Sequence, residues 1–176
     1  MDKLNNIINL SGRLKGLKRS GWLRKGITEA ESVADHSFGT ALLALLLAPV
    51  GLDKEKCLKM AVLHDIQEAF VGDITPFDNI SSEDKARMEI KAVKELAERL
   101  EYPELIEIFE EFEAQKSREA RFMKDIDRLE AVLQAKYYDK NSLTQESLFS
   151  EFYDYASRHT NQEEKIISEI FSKLSS

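Results

Sequence analysis

Apolar residues recur at helical spacing along most of the chain, and nowhere do they alternate as a half-buried strand would. Leu4, Ile7, Ile8, Leu10, Leu14 and Leu17 mark a first amphipathic helix over residues 2–17, weakened in its later part by Gly12 and Gly16. Residues 19–31 have no clean period and contain two glycines, so they read as a loop that carries the only tryptophan, Trp22. Ser32 is a good N-cap for a helix over 33–48 that ends at Pro49-Val50-Gly51. That helix is apolar almost all round, which predicts a central position. Asp53 caps the next helix, where Leu58, Ala61, Val62, Ile66 and Ala69 form one stripe, and the pattern runs to about Phe70. Residues 71–80 read as a loop, with Gly72 as helix stop and Pro76 holding an extended bend.

Ser81 or Ser82 caps a charged amphipathic helix to about Glu101, with Met88, Val93, Leu96 and Leu100 inward. Pro103 starts another over 104–115, and Ser117 opens a longer one to about Tyr138 with Phe122, Ile126, Leu129, Val132 and Leu133 on its stripe. Segments 143–157 and 161–174 read as two terminal helices. No repeat, linker or low-complexity stretch interrupts the chain. The expectation is one all-α domain over residues 1–176.

Composition agrees. The chain has 176 residues, enough for one domain with a sizeable core, and only 7 Gly and 3 Pro. The single cysteine, Cys57, excludes an intrachain disulfide and a cysteine-based zinc site. The N-terminus has no signal-peptide pattern, and the longest apolar run, 41–50, is half the ~20 residues needed to span a bilayer. A cytoplasmic protein without membrane partners is expected. The net charge of −7 argues against a polymeric nucleic-acid partner. From Lys3 to Ile27, however, there is no acidic residue, whereas Arg13, Lys15, Lys18, Arg19, Arg24 and Lys25 are all basic. Such a segment suits a small anion such as a phosphate monoester, or is a solvated helix end.

The candidate chemistry is concentrated in residues 61–76, AVLHDIQEAFVGDITP. Asp65 falls inside the apolar stripe, where a carboxylate is costly unless it is paired or bound to a cation. On a continuous helix His64 points about 100° away from it, so both reach one point at the helix edge. Glu68 is three and four residues on and lies beside both, and Asp73 follows just past Gly72. His36, in the first turn of the apolar helix, would by itself read as a satisfied core histidine, and Asp127, between Ile126 and Arg128, as a surface aspartate. Together with His64 and Asp65 they complete a two-His, two-Asp donor set from three helices. Mixed imidazole and carboxylate ligands suit a divalent ion: Mn²⁺, Co²⁺ or Zn²⁺ first, with Mg²⁺ or Fe²⁺ as alternatives. Asp125 stands two residues before Asp127, and spacing alone does not choose between them.

The pattern His36, His64-Asp65, Asp127 resembles that of the HD-domain phosphohydrolases, and more closely that of the 5′-deoxynucleotidases among them. The shared motifs read RSGW (residues 19–22), ESVADHS (31–37), LHDIQEAFVGDITP (63–76) and KDIDRLEAVLQA (124–135), in order and nearly without gaps. The resemblance implies a compact helical HD-domain (phosphodiesterase-like) fold, a homodimer, and hydrolysis of 2′-deoxynucleoside 5′-monophosphates. It assigns His36, His64, Asp65 and Asp127 to the metal and Glu68 to general acid–base work. Asp73, with Thr75 and Pro76 behind it, would line the sugar side, and Trp22 would stand near C2′ and exclude a ribose hydroxyl. Arg19 would hold the phosphate. In the bacterial enzymes arginine directly precedes the tryptophan, whereas here Ser20 and Gly21 intervene, so Arg24 or Lys25 compete for that role. Two other readings stay open: hydrolysis of another small phosphate ester (a ribonucleotide, flavin nucleotide or sugar phosphate), and a non-catalytic helical protein with a structural metal.

Overall fold

The structure, a computed structural model, describes residues 2–141, 143–144 and 147–175. Those residues form the helices α1 (Asp2–Gly16), α2 (Ser20–Arg24), α3 (Val33–Leu47), α4 (Lys54–Leu63), α5 (Glu68–Val71), α6 (Ser82–Arg99), α7 (Glu104–Glu113), α8 (Arg118–Lys140), α9 (Phe149–His159) and α10 (Lys165–Leu174). The all-α class expected from the periodicity is what the chain adopts. Among the described residues the strand-like feature is a single antiparallel bridge between Lys18 and Ser32. There the Arg19 amide donates to the Glu31 carbonyl at 3.0 Å and the Val33 amide to the Leu17 carbonyl at 2.9 Å. No helix among the described residues is long and apolar enough to cross a membrane.

The helix starts follow their caps. Ser32 and Asp35 form a reciprocal box: the Asp35 amide donates to Ser32 Oγ at 3.1 Å, and the Ser32 amide donates to Asp35 Oδ2 at 2.8 Å. The Lys56 amide donates to Asp53 Oδ1 at 3.1 Å. Between the two serines before α6, Ser81 is the cap, accepting from the Asp84 amide. Ser117 caps α8 by accepting from Ala120.

The chain divides into two compact units, Met1–Ser37 with Val62–Glu110, and Phe38–Ala61 with Glu111–Ser176. The first is built on Leu10, Ile66, Val93, Leu96, Ala97, Leu105 and Phe109, with Phe70 and Leu100 packed against them. In it α5 rests on α1 and α6. In the second, α8 packs along α9 and buries Phe122, Met123, Ile126, Leu129 and Val132. Tyr153 of α9 lies between Phe149 and Phe171, at ring distances of 5.7 and 5.8 Å, and its hydroxyl donates to the Phe171 carbonyl at 3.1 Å.

Four expectations are corrected. Residues 20–24 are helical, because the Leu23 amide reaches the Arg19 carbonyl and the Lys25 amide that of Gly21. The helix expected to run to Phe70 stops at Leu63 and resumes at Glu68. The penultimate helix starts at Phe149, not 143, because Asp139 accepts the Leu148 and Phe149 amides, both at 2.9 Å, and ends the preceding loop there. Finally, α3 is not surrounded. Phe38 and Leu46 are 71% and 70% exposed, and Leu42 and Leu45 are exposed on the same stripe. An all-round apolar helix registers total hydrophobicity, not which face this chain itself covers.

Candidate metal centre

The interruption between α4 and α5 builds the site. Ile66 donates to the Leu63 carbonyl at 3.2 Å, Glu68 to Asp65 at 3.1 Å, and Phe70 to Gln67 at 2.9 Å. These three-residue spacings wind the backbone tighter than an α-helix and re-aim His64 and Asp65. The capping box at Ser32 starts α3 so that His36 falls in its first turn, its amide bonded to the Ser32 carbonyl at 3.0 Å. The two imidazoles meet edge to face with centroids 5.3 Å apart, and their Nε2 atoms lie at 3.3 Å. Asp65 Oδ2 is 3.2 Å from His64 Nε2 and 3.8 Å from His36 Nε2. Both histidines are buried.

Two imidazole nitrogens this close share either a proton or a cation. One ion with bonds of about 2.0–2.2 Å needs neighbouring ligand atoms roughly 3.0–3.5 Å apart. The 3.3 and 3.2 Å separations at His64 Nε2 meet this, and the 3.8 Å between His36 and Asp65 is slightly longer. His36, His64 and Asp65 can therefore offer one donor atom each to a single divalent ion. Two buried acceptors nearby along the chain, Gln67 Oε1 and Glu68 Oε2, have no hydrogen-bond partner among the described residues, so this wall of the first unit has acceptor capacity to spare.

Charge is arranged around the trio. Arg19 Nη1 lies 3.0 Å from Asp65 Oδ2. Burial opposes ionisation of Asp65, but the charge and hydrogen bond of His64, with Arg19 and His36, hold its carboxyl well below the usual range. Glu68 is pushed the other way. Burial, and then the negative charges of Asp65 and Asp73, raise it to about 10, so it carries a proton at neutral pH. The same helix turn thus holds one carboxylate ionised and one protonated, the division that acid–base chemistry requires.

The remaining predicted residues fall as follows. Asp73 accepts the Ser20 amide at 2.6 Å and so fastens the start of α2. Trp22 is 2% exposed, and its Nε1 donates to Glu31 Oε1 at 2.8 Å. Of the competing cations, Arg19 is at the trio, Arg24 pairs with Asp78 and lies over Phe77, and Lys25 is exposed at the end of α2. The Thr75 hydroxyl and amide both donate to Asp78 Oδ2 at 2.7 Å, and Pro76 is exposed. Asp127 lies half-buried on α8 in the second unit. Asp125 is committed elsewhere, accepting the Asn161 and Gln162 amides at 2.7 and 2.8 Å. Glu31 and Asp78 are the residues that sequence reasoning passed over. Glu31 opens the quoted ESVADHS stretch, but nothing local tells that its partner is Trp22.

A helical scaffold that gathers two imidazoles and a carboxylate, with a protonated glutamic acid one turn on, defines the class of helical metal-dependent hydrolases. Comparison with known proteins narrows it: the HD domain family matches residues 11–171, and the chain belongs to that family. It is 36% identical to human 5′-deoxynucleotidase HDDC2, over 98% of this chain and 86% of that one. It is 42% identical to 5′-deoxynucleotidase hdd1 of Schizosaccharomyces pombe, over 73% of this chain and 68% of that one. A solved structure of a conserved hypothetical protein from Pyrococcus furiosus superposes with a TM-score of 0.80 at 32% identity, covering 98% of each chain.

Proposed function

We propose that the chain is a metal-dependent phosphomonoesterase that hydrolyses 2′-deoxynucleoside 5′-monophosphates to deoxynucleoside and phosphate. The observation that carries this is the convergence of His36, His64 and Asp65 on one point, with Arg19 and a protonated Glu68 at hand. The names of the relatives support the substrate class.

His36, His64 and Asp65 would hold the ion, and Asp127 would supply the fourth ligand by its place in the family pattern. The engagement of Asp125 with the 161–162 backbone supports that choice. A bound divalent ion would acidify water and polarise a phosphoryl oxygen. Arg19, exchanging its hold on Asp65 for the substrate, places the phosphate and offsets its charge. Water attacks phosphorus, the P–O5′ bond breaks, and Glu68 passes a proton between the water and the leaving 5′-oxygen. Asp73 holds α2 at Ser20 and Glu31 holds it at Trp22, so that the Arg19–Trp22 segment presents a rigid wall to the sugar, with Thr75 and Pro76 beyond it. By the family pattern Trp22 would stand near C2′, where its ring offers a 2′-hydroxyl no hydrogen bond, since Nε1 already donates to Glu31. Lys25 adds positive charge at the rim.

The exposed stripe of α3, Phe38, Leu42, Leu45 and Leu46, supports assembly as a homodimer. Phosphate release from dAMP, dUMP, AMP and UMP, after Mn²⁺, Co²⁺ or Mg²⁺ is added back to chelator-stripped protein, tests the reading. The deoxy substrates should be favoured and Asp65→Ala inactive. Equal rates on ribo substrates would remove the deoxy claim, and activity surviving Asp65→Ala would remove the mechanism.

A further inference from the structure

The basic N-terminal segment is only partly absorbed by the metal centre. Arg13 points elsewhere, into a cavity of ≈ 640 Å³ bounded by α1, α5 and the end of α6 in the first unit. Its floor is apolar, from the buried Leu10 and Leu96. Its wall is Phe70, with the Arg13 and Arg99 guanidiniums over the ring at 5.3 and 5.2 Å from the centroid. Asn6 on the rim donates to the Arg99 carbonyl at 2.9 Å.

Two guanidiniums resting on one aromatic ring keep their N–H edges available for oxygen acceptors, the fork that suits phosphate. Arg99 shares its charge with Glu95, but Arg13 has no carboxylate partner among the described residues; its contact is the Ala69 carbonyl at 3.4 Å. In a chain of net charge −7 this leaves a locally positive cavity with an apolar bottom. Its volume lies in the range of small-molecule sites. An inorganic anion would satisfy the arginines but leave Leu10, Leu96 and the open part of Phe70 wet. A phosphate attached to a planar apolar body satisfies both.

We propose that this cavity is a second ligand site, for a nucleotide, distinct from the metal centre and coupled to it. The coupling runs through α5: Arg13 touches Ala69, Phe70 is the wall, and Glu68 is the first residue of that four-residue helix. A phosphate that draws Arg13 off the Ala69 carbonyl removes one of the contacts that hold α5 against α1.

The test is a ¹H–¹⁵N titration of the full chain with ATP in the presence of chelator, in the wild type, in Asp65→Ala and in Arg13→Gln/Arg99→Gln. Saturable shifts of the Arg13 and Arg99 Nε–H signals and of the Phe70 and Glu68 amides are expected. They should persist in Asp65→Ala, and affinity should fall by roughly tenfold or more in the double variant, whose charge-assisted hydrogen bonds are gone. Both arginines are exposed, so the double variant should keep the wild-type far-ultraviolet spectrum. Shifts confined to Arg19 and His64 would overturn the proposal, as would no shift at all. Equal affinity for inorganic phosphate would overturn the nucleotide assignment, leaving an anion site.

Discussion

Glu68→Gln should abolish turnover in the metal-loaded protein and yet stabilise the fold of the metal-stripped one. Glu68 is 7% exposed, and its carboxyl is raised from an ordinary 4.5 to about 10. At pH 7 it is therefore protonated when folded and ionised when unfolded. A carboxyl with a raised folded value contributes most below its unfolded value, and that contribution is lost as pH rises toward the folded one. Between pH 4.5 and 7 this is two and a half units at about 1.4 kcal/mol each, or about 3 kcal/mol at pH 7. Glutamine has nearly the same shape and never ionises, so it escapes the loss. For a chain of this size, about 3 kcal/mol corresponds to a rise in Tm of about 10 °C. The assay is thermal unfolding of both proteins with chelator at pH 5, 6, 7 and 8. The gap should be small at pH 5 and widen with each step, and it should narrow when Mn²⁺ is restored, because a nearby cation favours the carboxylate. A gap that is the same at pH 5 and pH 8, or a variant less stable than wild type at pH 8, would refute the account of Glu68 as a buried, protonated acid.

Other outcomes follow from single contacts. Asp125→Ala strips the acceptor from the Asn161 and Gln162 amides and should cost about 2 kcal/mol in urea unfolding, while Mn²⁺ affinity stays at the wild-type level; Asp127→Ala should do the reverse. For Asp139, burial raises the carboxyl, but hydrogen bonds from the Leu148 and Phe149 amides and Ser147 outweigh it and hold it below the usual value. Its stabilisation is present above about pH 4 and lost as pH falls through the depressed folded value, so Asp139→Asn should flatten the acid limb of the stability profile. Glu31→Ala leaves the Trp22 Nε1 proton without its acceptor, whereas Glu31→Gln keeps a carbonyl there; the emission of this single tryptophan should shift in the first and hold in the second. Leu46→Glu on the exposed α3 stripe should leave the far-ultraviolet spectrum unchanged and give a monomeric mass by light scattering.

What the sequence determined by itself was local. Helical spacing of Leu, Ile, Val and Phe, and caps at Ser32, Asp53 and Ser117, depend on residues within about four positions of one another, so the all-α class and most helix starts were legible before any coordinate. The imidazole donors were legible too, since the chain has only 3 histidines, whereas its 32 Asp and Glu left the choice of carboxylate to the motifs. Tertiary structure decided what depends on distant neighbours. It broke the helix at residues 64–67 and turned His64 and Asp65 toward His36. It engaged Asp125 with the backbone at 161–162, gave Trp22 to Glu31 and Arg24 to Asp78, and left one face of α3 uncovered. It also set Glu68 and Asp65 to opposite protonation states, three residues apart in one turn. Periodicity records which side of a helix is apolar, whereas burial and the field at a carboxyl are sums over whatever the rest of the chain brings near it, and only the fold performs that sum.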